Sequence, residues 1–360
     1  MWFFGLAGLA KAQTNFFIQD IQVNPDSSVT ITWPAVPQIP YHVMFADSPT
    51  GMWQDFTDGT VTAGSNVWSL GYTDTNGFIA TQRFYRIRKT RAQLIMALVL
   101  DRSGSMGCEP PCGSGGGFVL PAVVSSFIDF FDDTTDKVAM SSFASEAKLN
   151  VPMEQPFRND IKNAANAMSF AGRTFAEGGL QIGFNQVNNT PVPPGESVVK
   201  VIVFFTDGYA NTFQTNFSCS ATPINLGQGD PPIGGSTNAG APWSFNFMDP
   251  TAGNNISCSS TTFPSLDGTI KTISQNNQNI WNEAHLHALS VANQIRSANI
   301  LIYSIGLGAG PDPDFLRNIA NDPAGSAYNP SQISGEAVFA PDASHLQAVF
   351  DQIAAKVLYQ

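Results

Sequence analysis

Apolar and polar residues follow two different patterns along this chain, and the change falls near residue 92. Before it, short apolar stretches predict strands at 16–23, 29–33, 41–45, 67–72 and 82–87. Turn sequences such as Asn76-Gly77 separate them and supply residues that tolerate the backbone angles of tight turns. Short strands between turn signals are typical of a small β-sandwich, which we predict over residues 15–91.

From residue 92 to 360 the pattern alternates between strands and helices. The apolar run 94–100 is expected to be a buried central strand, and further strands are predicted at 138–143, 198–205, 300–305 and 338–339. Helices are predicted at 157–168, 176–187, 280–298 and 312–320, and apolar residues also recur at helical spacing in 120–131 and 346–357. This alternation predicts an α/β fold: a doubly wound, mostly parallel, Rossmann-like sheet covered by helices on both faces.

One segment, residues 209–275, interrupts the alternation and is predicted to be an insertion. It contains runs such as GQGDPPIGGSTNAGAP, together with several aromatic residues. A connection of this length is usually functional or flexible. Two interpretations stay open: a self-packed subdomain pinned by Cys219 and Cys258, or a wall or lid beside a functional site.

The N-terminus and the composition both favour export. Residues 2–10 are apolar and precede the small-x-small sequence Ala10-Lys11-Ala12, so residues 1–14 are expected to be a signal peptide truncated at its start. They are too short to cross a bilayer, which needs about 20 residues. No other stretch is a transmembrane candidate. Charged residues make up 12% of the chain, against roughly a quarter in ordinary soluble domains.

The net charge of −11 lies entirely after residue 92, because the first 92 residues hold six basic and six acidic side chains. An acidic surface repels phosphate backbones, which argues against a nucleic-acid partner and suits the attraction of cations.

The four cysteines lie in Gly-, Pro-, Ser- and Asn-rich segments outside the apolar strands, at Cys108, Cys112, Cys219 and Cys258. An even number of cysteines in an exported chain suggests two disulfides, with three connectivities possible. We favour the local pairs Cys108 with Cys112 and Cys219 with Cys258. A four-thiolate zinc site is the alternative, disfavoured because Cys219 and Cys258 are far apart in sequence.

The strand at 94–100 ends in a loop that carries oxygen ligands, Asp101, Ser103 and Ser105. Ligands of open α/β sheets bind at the carboxyl edge, where this loop lies. Hard divalent cations prefer such oxygen donors. An Asp-x-Ser-x-Ser sequence alone is weak evidence, since a loop that caps a helix would look the same.

Two further residues strengthen the pattern. Thr174 lies on a loop that enters an amphipathic helix, in GRTFAEGGL, and Asp207 follows the apolar strand of VVKVIVFFTDG. With these, residues 92–360 resemble the von Willebrand factor A-type domain family, whose metal-ion-dependent adhesion site (MIDAS) combines Asp-x-Ser-x-Ser, a Thr and an Asp on three loops.

The resemblance implies that Asp101, Ser103, Ser105, Thr174 and Asp207 hold Mg²⁺, with Mn²⁺ or Ca²⁺ as alternatives. It also implies an open coordination position that an acidic residue of a protein partner fills. Arg173 stands where family members often have Gly and is expected to border the site with a positive charge. Arg173, Tyr209 and Trp243 are the candidate partner-binding residues.

The C-terminal part, with IYSIGLGAGPDPDFLRNIANDP, resembles the bacterial branch of the family associated with tight-adherence pili, and residues 15–91 resemble fibronectin type III-like modules. No nucleophile elbow, phosphate-binding loop or catalytic Cys/His pair is visible, so we predict no catalytic residues and no enzyme. The expected function is metal-dependent adhesion or protein binding by a secreted or cell-surface bacterial protein. The alternative is a structural component of a pilus or envelope assembly in which the metal only stabilises the loops.

Overall fold

The computed structural model describes residues 18–35, 40–48, 52–64, 67–76, 82–89, 92–110, 113–192, 198–228, 245–273 and 278–358. Within them, the residues up to Ala92 form one compact unit and those from Gln93 onward form another. The expected signal peptide, residues 1–14, lies outside the described residues. In the described ranges no helix has both the length and the apolar character needed to cross a membrane.

The first unit is all-β, as the strand pattern predicts. Its strands are β1 (Asp20–Val23), β2 (Val29–Pro34), β3 (Pro40–Ala46), β4 (Gln54–Thr62), β5 (Ser69–Asp74) and β6 (Phe84–Lys89). They form two antiparallel sheets of order β1-β2-β5 and β4-β3-β6. Alternate residues of β2, including Ile31 and Trp33, are buried with Tyr41 and Val43 from the other sheet. The fibronectin type III resemblance of this sandwich stays a prediction.

The second unit is built on a six-stranded sheet. Its strands are β7 (Gln93–Asp101), β8 (Lys137–Phe143), β9 (Ala147–Glu154), β10 (Val198–Thr206), β17 (Leu301–Leu307) and β18 (Glu336–Ala340), in the order β18-β17-β10-β7-β8-β9. Its helices are α1 (Gly116–Ile128), α2 (Arg158–Asn166), α3 (Ala176–Asn188), α4 (Gln278–Ser297), α5 (Pro313–Ala320) and α6 (Leu346–Leu358). All strand pairs are parallel except β8 with β9.

Helices cover both faces of this sheet, which confirms the predicted fold class. Side chains of β7 alternate between the faces: Leu98 packs with α1, α2 and α6, whereas Val99 packs with α3, α4 and α5. Each fully buried aliphatic side chain contributes about 1.5–3 kcal/mol. The edge strand β9 was not predicted, because only Val151 of its eight residues is buried and an apolar pattern is therefore lacking.

The segment after β10 is structured and packs against the helices. It carries β11 (Thr212–Thr215), β12 (Ile224–Gln228), β13 (Phe245–Met248) and β14 (Asn255–Ile256) in one antiparallel sheet, and β15 (Thr262–Pro264) with β16 (Ile270–Thr272) in a second. Phe213, Leu226 and Phe263 join the same core cluster as α3 and α4. The described part of this segment is therefore packed into the core of the α/β unit.

The disulfide between Cys219 and Cys258 is confirmed, with the two Cα atoms 5.6 Å apart. Cys108 is also disulfide-bonded. Its predicted partner Cys112 lies outside the described residues. No described cysteine is a free thiol, so the thiolate zinc alternative finds no support.

Candidate metal centre

The two central strands of the α/β unit bring Asp101 and Asp207 to the same edge. β7 and β10 are parallel neighbours with Leu100 opposite Phe205, so their carboxyl ends lie side by side. The chain runs from β7 to β8 on one side of β7 and reaches β10 on the other. This point, where the strand order reverses, is where open α/β sheets bind ligands.

The Asp101 carboxylate is fully buried and fixed by two hydrogen bonds. Its Oδ1 atom accepts from the Ser103 backbone N–H at 2.7 Å, and its Oδ2 atom accepts from the Thr206 hydroxyl at 2.5 Å. Thr206 is the last residue of β10, so this contact joins the two strand ends. Sequence reasoning did not single out Thr206, because its position ahead of Asp207 becomes informative only once the two strands are neighbours.

The two serines of the loop link Asp101 to Asp207. A short 3-10 helix, Gly104–Gly107, follows Ser103 and turns Ser105 back toward the sheet. The hydroxyl oxygens of Ser103 and Ser105 are 3.2 Å apart, and the Ser105 hydroxyl donates to Asp207 Oδ1 at 2.7 Å. Asp101, Ser103, Ser105 and Asp207 therefore form one connected group of oxygen atoms.

Thr174 reaches the same place from the loop before α3. It is buried, and its backbone N–H donates to the Asn211 side-chain oxygen at 2.8 Å, while its carbonyl accepts from the Asn211 backbone N–H at 3.1 Å. Asn211 thus holds the Thr174 loop beside the strand end that carries Asp207. Thr174, Ser105 and Asp207 line one cavity of about 540 Å³.

Burial and a neighbouring acid raise the pKa of Asp101 to about 7. Removal from water is the larger cause, and the negative charge of Asp207 is the second. Hydrogen bonds from Ser103 and Thr206 lower this pKa and offset part of the shift. Two acids held this close gain from a cation, which would favour the ionised form of both.

Ser114 is a member of the site that sequence reasoning missed. Its hydroxyl donates to Asp207 Oδ2 at 2.5 Å, and its backbone N–H donates to the Ser105 carbonyl at 3.0 Å. Gly113 allows this approach, since a Cβ atom there would collide with the Ser105 carbonyl oxygen. The only sequence signal is the small-residue run that includes Gly113 and Ser114 just before α1, which is common in loops.

The donor set fits a hard divalent cation. It consists of carboxylate and hydroxyl oxygens, which suit Mg²⁺, Mn²⁺ or Ca²⁺. In the described ranges no three or more His, Cys, Asp or Glu side chains are grouped so that they could share a metal ion. The described site is therefore rich in hydroxyl groups and unlike a zinc site of thiolates or imidazoles.

The three candidate partner-binding residues fall in different places. Tyr209 lines the 540 Å³ cavity together with Asp207. Arg173 instead lines a neighbouring cavity of about 330 Å³ with Gln228 of β12. Trp243 lies outside the described residues.

Fold and site together define an α/β protein with an oxygen-donor site at the reversal point of its sheet. Residues 96–222 match the family model of the von Willebrand factor type A domain. This match confirms, for residues 96–222, the family resemblance that the sequence predicts. No curated protein matches the chain.

Solved structures show similar folds at low identity. The PilB minor pilin from Streptococcus sanguinis is 14% identical, with 94% of this chain and 77% of that chain covered and a TM-score of 0.50. The von Willebrand factor domain of the type V pili tip protein Mfa5 from Porphyromonas gingivalis is 14% identical, covering 74% and 96%, with a TM-score of 0.49. Proximal thread matrix protein 1 from the mussel byssus, whose MIDAS motif holds zinc, is 17% identical, covering 74% and 46%, with a TM-score of 0.42. At these identities the first likeness shows the fold alone.

Proposed function

We propose that this protein is a non-enzymatic, metal-dependent protein-binding or adhesion module of an exported or cell-surface bacterial protein. Asp101, Ser103, Ser105, Thr174 and Asp207 would hold the divalent cation, with Mg²⁺ as the expected ion. The bound cation would supply a positive charge at which a partner's carboxylate is coordinated. The PilB minor pilin, a pilus protein of similar fold, supports a surface or pilus-linked role.

The observation that carries this proposal is the cavity beside the metal site. Ser105, Thr174 and Asp207 lie in its lining, so a ligand that enters the cavity reaches the oxygen atoms that would surround the ion. A volume of about 540 Å³ is in the range of pockets that hold small ligands or a few side chains. A site with only a stabilising role has no need of such an opening.

A second function, a structural one, is favoured by Ser114. Its hydroxyl contacts Asp207 from the loop before α1, as expected if the protein's own loops complete the metal site. In that case the ion would fix the loops at the sheet edge and leave no position for a partner.

Metal binding is tested first, by titration calorimetry with Mn²⁺. Replacing Asp207 with Ala removes a carboxylate of the site, and we expect about a ten- to hundredfold loss of Mn²⁺ affinity. The fold should persist because β10 is held by apolar burial. Asp20→Ala, on an exposed strand of the first unit, is the control and should bind Mn²⁺ like the parent protein. If the Asp207→Ala variant bound Mn²⁺ as tightly as the parent protein, the proposed metal site would be wrong.

The open position is tested with two short peptides, Gly-Ala-Glu-Gly and Gly-Ala-Gln-Gly, each acetylated at the N-terminus and amidated at the C-terminus so that no terminal carboxylate is present. Bound Mn²⁺ broadens the proton resonances of molecules that coordinate it, even when they bind weakly. We expect selective broadening of the Glu peptide that disappears on addition of a chelator. Tight Mn²⁺ binding without this broadening would instead support the structural function.

A further inference from the structure

A rigid aromatic wall stands beside the candidate metal centre. The Tyr209 ring, two residues after Asp207, lies parallel to the Trp281 ring, with centroids 5.5 Å apart and an interplanar angle of 3°. Tyr209 also stacks on His285, at 6.1 Å and 11°. Trp281 and His285 are four residues apart on α4 and so share one helix face.

The base of this wall is anchored in the core. His285 stacks on Phe315 of α5 at 4.2 Å, and burial lowers the pKa of His285, opposed by the charge of Asp312. The lowered pKa keeps the imidazole ring neutral at pH 7. The wall therefore presents flat, uncharged rings. Tyr209 at its surface remains 41% exposed.

The cavity in front of this wall is divided into a polar end and an apolar body. Ser105, Ser114, Thr174 and Asp207 form the polar end at the metal site. The body is lined by Pro110, Tyr209, Trp281, Leu307, Ala309 and Pro341. Gly310 completes the body and must be Gly, because a side chain there would collide with the Asp207 carbonyl oxygen.

Charge restricts what the cavity accepts. Among the described residues that line it there is no Lys, Arg or His. Asp342 stands at its margin, where hydrogen bonds from Ser344 and His345 lower its pKa to about 2 and keep it ionised. A ligand carboxylate is thus compensated only at the metal end, and a second negative charge elsewhere is repelled.

We propose that the cavity binds a protein segment in which an acidic residue has an aromatic neighbour. The carboxylate goes to the metal end, and the aromatic ring packs on Tyr209 and Trp281. This inference rests on the proposed function and specifies its ligand. A carboxylated sugar fits less well, because its hydroxyl groups would be buried against an apolar body that offers them few hydrogen-bond partners.

The test uses Mn²⁺-loaded protein and short peptides followed by proton line broadening. All peptides have an acetylated N-terminus and an amidated C-terminus, so that the Glu side chain supplies their only carboxylate. Gly-Phe-Glu-Gly is compared with Gly-Ala-Glu-Gly, which lacks the ring, and with Gly-Phe-Gln-Gly, which lacks the carboxylate. Glucuronate serves as the sugar probe. We expect Gly-Phe-Glu-Gly to bind about five- to tenfold more tightly than Gly-Ala-Glu-Gly, as a favourable ring contact predicts. Gly-Phe-Gln-Gly should bind more weakly and show much less metal-dependent broadening than Gly-Phe-Glu-Gly at the same concentration.

Variants of Tyr209 and Trp281 test whether the aromatic wall causes the preference for the Phe peptide. Tyr209→Ala and Trp281→Leu should each reduce the advantage of the Phe peptide to about twofold or less, while Mn²⁺ affinity stays at the parent value. Tyr209→Phe keeps the ring and should keep the preference. Tyr328→Ala, which removes a tyrosine of similar exposure (38%) outside the cavity lining, is the matched control.

Each outcome decides a separate claim. If the parent protein did not bind Mn²⁺, the proposed function itself would be overturned. Equal binding of the Phe and Ala peptides, or a preference that survives both wall variants, would overturn only the aromatic-ligand inference. Tighter binding of glucuronate than of Gly-Phe-Glu-Gly would replace the protein ligand with an acidic sugar.

Discussion

Two groups of buried acids in the α/β unit are neutralised in different ways. Asp101, beside Asp207, receives its hydrogen bonds from a backbone N–H and a hydroxyl, which carry no net charge. Glu283, fully buried on α4, lies 3.4 Å from His287 Nε2 and 3.9 Å from Lys271 Nζ.

Further contacts complete the Glu283 group within the fold. His287 Nδ1 is 2.9 Å from Glu177 Oε1, and Glu283 accepts from the Ser265 hydroxyl at 2.5 Å and the Leu266 backbone N–H at 2.6 Å. These contacts tie α3, α4 and the segment after β10 together. A buried acid alone therefore does not identify a functional site: the Glu283 group has basic side chains of its own, whereas Asp101 suits a cation from solution.

Glu283→Gln is expected to separate the two groups clearly. The amide keeps the size of the side chain but removes the charge opposite Lys271. It also replaces one of the two acceptor oxygens by an NH₂ group, so that the Ser265 hydroxyl or the Leu266 N–H loses its acceptor. Breaking a buried pair of this kind costs about 3 kcal/mol of unfolding free energy, measured by urea denaturation. Mn²⁺ affinity should not change.

The control for this prediction is Glu336→Gln, which breaks a partly exposed ion pair with Lys356. It should cost no more than about 1 kcal/mol. If Glu283→Gln unfolded like the parent protein, or lost Mn²⁺ binding, the structural assignment of the Glu283 group would be wrong.

The pH dependence of the unfolding free energy tests the same comparison at Asp101. Its folded pKa of about 7 exceeds the ordinary value of 3.8, so its contribution to stability is complete below pH 3.8 and is lost as pH rises through 7. In a chelator, the parent protein should lose up to about 1.4 kcal/mol per pH unit in this window relative to Asp101→Asn. Saturating Mn²⁺ should reduce the loss, because the ion favours the carboxylate. Identical pH profiles for the two proteins in chelator would refute this account.

The smallest effect concerns Ser114, which donates to Asp207. Ser114→Ala removes a donor that orients the Asp207 carboxylate, and we expect about fivefold weaker Mn²⁺ binding, equivalent to about 1 kcal/mol. Ser125→Ala on α1, whose hydroxyl bonds only within its own helix, is the control. Tighter Mn²⁺ binding by Ser114→Ala would mean that Ser114 competes with the ion for Asp207.

Sequence reasoning succeeded where one local pattern carries the information. The continuous apolar run of β7 predicted a central strand of the sheet. The helical spacing of Leu346, Phe350 and Ile353 predicted α6 as a helix that covers the sheet. Burial alone dictates both patterns. It failed where local pattern and burial disagree. All five residues of β12 are buried, yet Asn225 and Gln228 are polar, so that strand has no apolar signature.

The site divides in the same way. Asp101, Ser103, Ser105, Thr174 and Asp207 were named because they follow a spacing that can be read along the chain. Ser114, Asn211 and Trp281 were not, because their roles depend on contacts between loops that are distant in sequence. Asn211 is recognisable only from its two hydrogen bonds to the Thr174 backbone.

The disulfide between Cys219 and Cys258 has a mechanical consequence. It joins residues 39 positions apart, so when the chain is pulled from its two ends the tension passes through the sulfur atoms and bypasses the intervening segment. At about 3.5 Å per extended residue, the disulfide prevents about 135 Å of chain from being extended. In a force-extension recording, the fully unfolded oxidised protein should be shorter than the protein with this bond reduced by about that length.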